Sequence, residues 1–173
     1  MKRKITVLLI VIVCFLLQTT MFQALSIASI SPNLLIIVTA SFGFMRGKKE
    51  GLLTGFFGGL FIDVFYGGVL GFYAMIYMFL GYANGFFRKI FFPEDIKLPM
   101  ILIFASDLFS NLLVYFFQFL FRRRFSFDYY MMHIIMPELV YTMLVTVFLY
   151  FLLLKINQKL ELSERKRSAR KFG

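Results

Sequence analysis

The chain has 173 residues, 60% of them apolar, with 25 Phe, no Trp and a formal charge of +10. A water-soluble domain of this size is excluded, because it would have too little polar surface to cover such an interior. In a soluble chain the charge would suggest nucleic acid, but here the basic residues punctuate apolar runs, so topology accounts for them and no nucleic-acid partner is expected.

Six apolar runs follow in order, at residues 5–25, 31–45, 52–66, 70–87, 98–121 and 134–154. The four longer runs have roughly 18 to 24 residues, close to the ~20 that a helix needs to cross a ~30 Å hydrocarbon core. The second and third have about 15 and are short unless residues 24–31 and 66–68 dip into the membrane. The expected fold is an all-α integral membrane protein. One six-helix transmembrane bundle would fill residues 1–154, and a basic tail would follow at 155–173.

With the N-terminus inside, all of the 19 Lys and Arg except Arg122, Arg123 and Arg124 fall on one side. The positive-inside rule therefore predicts both termini in the cytoplasm and an even number of spans. The Arg triplet is open to two readings, a solvated helix end or an outer contact with an acidic partner or lipid headgroups. The tail is likewise open: a stop-transfer flank, a segment lying on anionic membrane lipids, or a contact for an acidic protein.

Met1 to Lys4 followed by an apolar run resembles a secretory signal peptide, with Ala24-Leu25-Ser26 as a tolerable cleavage site. The run is long for that role, and its removal would place the basic tail outside, so retention is expected. Cys14 is the sole cysteine, which leaves no internal disulfide. Metal, cofactor and catalytic sites are not expected. His133 is the only histidine, no Gly-x-Ser-x-Gly elbow occurs, and residues 43–49 lack the spacing and the Ser or Thr of a phosphate-binding loop.

Three carboxylates fall within apolar runs: Asp63, Asp107 and Glu138. An ionisable group deep in a bilayer costs roughly 2.5 to 3.5 kcal/mol, so it faces protein or water. Asp107 lies about 14 Å into its helix and shares a face with Ser110, Asn111 and Gln118; Glu138, Thr142 and Thr146 form a second stripe on the next span. Three readings are open for this pair of stripes: an interhelical hydrogen-bond seam, a proton or substrate path, and a partner-binding face. Asp63 is close to the Tyr66-Gly67-Gly68 turn, where snorkelling to the interface explains it as well as any function.

Gly43, Gly47, Gly51, Gly55 and Gly59 recur every fourth residue, and Gly81 and Gly85 repeat the spacing. Such glycines make a groove in which another helix backbone approaches closely. The third span is accordingly expected to be central.

The sequence Ser31-Pro32-Asn33-Leu34-Leu35, the basic turn Met45-Arg46-Gly47-Lys48-Lys49-Glu50-Gly51, the stretch from Gly55 through Gly59 to Asp63, and Gly68-Val69-Leu70-Gly71-Phe72-Tyr73-Ala74 together resemble the rod shape-determining protein MreD family. The order and spacing carry the likeness over residues 31–85; elsewhere only the hydropathy is similar. The resemblance implies interaction or structural roles for Pro32, Asn33, Asp63, Gly68 and Gly71. Gly51, Gly55, Gly59, Asp107, Asn111 and Glu138 are candidates on the pattern of the residues themselves.

The resemblance further implies a bacterial inner-membrane component of the cell-elongation machinery. It would have no catalytic activity, would bind the MreC membrane anchor, and would be linked to MreB filaments, the RodA polymerase and a penicillin-binding transpeptidase. The suggested mechanism is scaffolding. The alternative is a substrate-binding membrane subunit of an energy-coupling-factor vitamin transporter; the MreD family looks like a distant structural relative of those subunits, so the fold would be shared even where activity differs. Such subunits usually dock through an Ala-x-x-x-Ala pattern in the first helix, which residues 5–25 lack. A membrane enzyme acting on lipid intermediates would need Asp107 or Glu138 as acid or base.

Overall fold

The computed structural model describes residues 2–20, 30–66, 69–122 and 127–169, and among these the chain is helical. The helices are α1 (Lys2–Thr19), α2 (Leu34–Arg46), α3 (Lys48–Phe65), α4 (Phe72–Asn84, continued by a 3-10 turn Gly85–Lys89), α5 (Lys97–Arg122) and α6 (Met136–Ala169). A helical turn Phe127–Tyr130 and a π turn Met131–Ile135 lead into α6. Pro137 lacks the N–H that would reach the His133 carbonyl and its ring crowds that oxygen, and the wider turn relieves both. The end of the first expected span, the Ala24 to Ser26 motif, Gly67, Gly68, Arg123 and Arg124 lie outside the described residues.

Local chemistry sets the helix ends. Asn33 caps α2 by accepting from the Ile36 N–H at 3.3 Å. Gly47, at φ +103°, ends α2 and opens α3 with one residue, a conformation that side chains other than glycine's resist. Gly71, at φ +95°, opens α4 in the same way. The backbone reversals between α2, α3 and α4 therefore coincide with glycines.

The central element is α2, where every residue from Leu34 to Met45 is buried and which touches each of the other five helices. This corrects the expectation that the third span is central. A 13-residue helix is only about 20 Å long, too short to match a bilayer. Enclosure by neighbours removes the mismatch, because α2 meets protein instead of lipid.

The glycine ladder does what its spacing implies, but its partner is α4 of the same chain. A Cβ on Gly55 would overlap the Tyr77 carbonyl, one on Gly59 the Tyr73 carbonyl, and one on Gly51 the Gly81 carbonyl; Gly81 in turn meets Gly51, and Gly85 meets Lys48. Hydrogen-bearing α-carbons thus pack directly on backbone, the approach small residues permit.

Outside this core the surface is apolar. Leu9 and Val13 of α1, Val64 of α3, Phe79 of α4, Ile101 and Phe116 of α5, and Val140, Leu144 and Phe148 of α6 are exposed, Phe148 to 82%. Two stretches are long and apolar enough to cross a bilayer, Lys97–Phe117 and Asp128–Lys166.

Helix α6 runs on well past the expected end of the last span at residue 154. Its 34 residues reach about 51 Å, so the tail is helical up to Ala169 and not a separate segment. Its extension is tied to the first two helices: Glu164 accepts from Arg3 and from Arg46, each at 3.1 Å, while Arg46 also donates to Asn157 and Arg3 pairs with Glu50. These contacts define a terminal end of the bundle, opposite a distal end at which α1, α3 and α5 finish and α2 and α4 start.

The backbone contact between α3 and α4 predicts that Gly55→Val forces the helices apart, at an overpacking cost of about 1–3 kcal/mol or more. Gly71→Ala meets no atom within 4 Å and bears only the left-handed backbone cost, about 1 kcal/mol. Thermal melting of the detergent-solubilised variants checks this order, with Gly55→Val melting lower.

Candidate functional site

Polar side chains that apolar helices carry inward converge in the distal half of the bundle. Asn33 is the hub. Its N–H donates to Thr142 Oγ1 at 3.1 Å, and its Oδ1 accepts from the Tyr77 hydroxyl at 3.0 Å besides capping α2. The preceding Pro32 is buried. One residue therefore links α2, α4 and α6, and the polar stripes of the last two spans, which face each other at Asp107 and Thr142 and at Asn111 and Glu138, are also joined to the start of α2.

Asp107 is fully buried on the α5 face formed by Ile103, Asp107, Ser110 and Val114. Thr142 and Asn33 flank its carboxyl group, and Asn111, one turn along α5, donates to Oδ1 at 3.5 Å. Its Oδ2 has no hydrogen-bond partner among the described atoms. Thr142 and Thr146 are also fully buried, and Thr146 donates back to the Thr142 carbonyl at 2.6 Å, while Glu138 is half-buried. Asn111 stands between the two carboxylates, facing Glu138 as well as Asp107.

Above this layer is a cavity of about 340 Å3, lined by Gln18, Asn33, Tyr66, Tyr73, Tyr77, Ser110, Asn111, Tyr130 and Glu138 among others. Of the candidates from sequence, Asn33, Asn111 and Glu138 meet here, and Asp107 lies directly behind. Tyr73 stands in the motif that ends at Ala74, but Tyr77 and Tyr130 carry no mark in the sequence that separates them from the other aromatic residues; only their approach to Asn33 and Glu138 does. Among the described residues no group of three or more His, Cys, Asp or Glu stands close enough to hold a metal ion.

Asp63 belongs to a different device. It is 1% exposed and accepts from the N–H groups of Gly71 at 3.0 Å and of Tyr73 and Ala74 at 2.9 Å each. A carboxylate there satisfies three amides at the start of α4 and meets the positive end of its dipole. Snorkelling is thereby corrected: the group is turned into the protein, because the start of α4 offers three N–H donors, that of Ala74 buried. Gly51, Gly55 and Gly59 serve the α3–α4 contact and are covered by α4, and Gly68 lies outside the described residues.

Removing the acceptor leaves three amides without this partner, and the buried one of Ala74 costs about 1–3 kcal/mol. Asp63→Ala is accordingly expected to lower the melting temperature by more than Asp63→Asn, which keeps one acceptor oxygen. Circular dichroism melts of both variants test the order.

A family profile described as rod shape-determining protein MreD matches residues 1–160 of this chain. No curated protein and no solved structure matches it. The match takes in α1, α5 and most of α6, beyond the residues 31–85 that carry the motifs, and the apolar outer faces of the helices suit a membrane protein. The chain is therefore a member of the MreD family of rod shape-determining membrane proteins.

Proposed function

We propose that this protein is a non-catalytic, six-span scaffold of the bacterial cell-elongation machinery, held in the inner membrane with its terminal end in the cytoplasm. The observation that carries the reading is the exposed apolar face on α1, α3, α4, α5 and α6, joined to family membership over nearly the whole chain. So many large apolar side chains exposed on five helices need lipid or another membrane helix against them. Helix α2 needs neither, being enclosed.

Orientation follows from charge. Arg3, Arg46, Lys48, Lys49, Arg88, Lys89 and Arg165 gather around one cleft at the terminal end, as expected of a cytoplasmic face. In this reading the scaffold binds the MreC membrane anchor along an exposed apolar helix face. The glycine groove of α3 is not that surface, since α4 already fills it. The link to MreB filaments, RodA and the transpeptidase runs through the assembled complex and the basic end.

Deletion of the protein in a rod-shaped host without a second copy is expected to give rounded, osmotically fragile cells. Restoration by the intact chain but not by the Gly55→Val variant, scored as cell length-to-width ratio, supports the reading; rods that persist after clean deletion oppose it. A reporter fused after Gly173 is expected to be active only as a cytoplasmic fusion.

A further inference from the structure

The cleft at the terminal end is built, not merely basic. It measures about 1280 Å3 and is assembled from the start of α1, the α2–α3 junction, the 3-10 turn after α4 and the extension of α6. Seven Lys and Arg side chains line it against three Glu. Arg3 and Arg46 hold Glu50 and Glu164, and Asn157 donates to Glu161 at 3.4 Å. Lys49, Arg88, Lys89 and Arg165 make no ion pair among the described residues, although all nine Asp and Glu of the chain are described.

An arginine does not lose its proton in a protein, so this excess of positive charge cannot be titrated away, and a concave wall focuses it. Arg88 is placed by the turn it crosses: a Cβ on Gly47 would stand 3.0 Å from its Cδ and 3.3 Å from its Nη1. Glycine at that junction leaves the space that the guanidinium occupies. The first residues of α3 open on the same cleft, and Gly47 brings no side chain to cap them, which adds the positive end of a helix dipole.

An apolar stripe begins beside these cations. Lys48 Nζ lies 3.4 Å from the centre of the Phe86 ring and 5.6 Å from that of Tyr82. From this pair Phe79 and Met75 continue along α4 at helical spacing, all four exposed. Eleven residues from Met75 to Phe86 reach about 16 Å, the hydrocarbon depth of roughly one leaflet. A soluble anion would use the cations alone, whereas an anionic lipid uses both, its phosphate among the cations and a chain along α4. A phosphodiester brings one negative charge, too few for four unpaired cations beside Glu161, so a lipid with two phosphates matches the cleft better.

We propose that the terminal cleft binds an anionic phospholipid with two phosphates, with Lys49, Arg88, Lys89 and Arg165 as its phosphate contacts and the stripe from Met75 to Phe86 against an acyl chain. The site rests on the membrane placement given above and not on the scaffold role. Its failure leaves the shape phenotype standing, and loss of that phenotype leaves binding measurable on the purified protein.

The full chain, purified in detergent, is titrated separately with cardiolipin, phosphatidylglycerol and phosphatidylethanolamine, and retained lipid is counted by native mass spectrometry. Inorganic pyrophosphate, added as a competitor, tests for a soluble-anion site. One cardiolipin per chain is expected, held at least about tenfold more tightly than either of the other lipids and not displaced by pyrophosphate.

Arg88→Gln combined with Arg165→Gln is expected to weaken cardiolipin binding about tenfold or more. Lys97→Gln combined with Lys155→Gln removes the same charge from outside the cleft and leaves binding within about twofold of the parent. Melting curves identify a variant that fails to fold, in which case Lys49→Gln combined with Lys89→Gln decides against the same control. Equal loss in the cleft and control variants, which marks a general field of the basic end, overturns the proposal. So does phosphatidylglycerol bound as tightly as cardiolipin, displacement by pyrophosphate, or no retained cardiolipin.

Discussion

Direct contact between the backbones of α3 and α4 is the constraint from which the rest of this structure follows. Glycines at positions 51, 55 and 59 receive the carbonyls of Gly81, Tyr77 and Tyr73, leaving no room for a side chain between the two helices. The pair is closed at its distal end by Asp63, which holds the first amides of α4 from the last turns of α3. Van der Waals contact supplies the adhesion where lipid offers no hydrophobic incentive, and the carboxylate sets how far along α3 the next helix begins.

That rigid pair decides where Tyr73 and Tyr77 stand. Their backbones lie against α3, while the Tyr77 hydroxyl reaches Asn33 and both residues line the cavity. Helix α2 lies against this pair and is wrapped by α1, α5 and α6, which lets a helix shorter than the membrane sit at the centre of an apolar bundle. Its capping residue becomes the hub of the polar layer because the start of an enclosed helix carries unsatisfied amides that must find partners inside the protein.

The two ends of the bundle differ in chemistry. At the terminal end, arginines from α1 and α2 share Glu164 on the extension of α6, and further cations surround them. At the distal end, Glu138 and several tyrosines face a cavity with no Lys, Arg or His among its described lining residues. The described cations are thus concentrated at the terminal end, the pattern that the positive-inside rule associates with a cytoplasmic face.

Much of this was legible in the residues. Apolar run lengths and charge placement predict helices and their number, the four-residue glycine period predicts close backbone approach, and the ordered motifs from Pro32 to Ala74 point to the family, since each depends on spacing along one chain. What spacing cannot carry is which elements meet. The glycines signal a groove but not that α4 occupies it. The Asp63 position suggests an interface, whereas its three amide partners lie eight to eleven residues on, across a reversal. Tyr77, Tyr130 and the Arg46–Glu164 pair have no periodic signature, because their partners come from helices distant in sequence. Composition and local pattern therefore determined the solvent, the helices and the family, while the central place of α2, the hub at Asn33 and the cavity before Glu138 were decided only by tertiary packing, which brings together groups that no one-dimensional period relates.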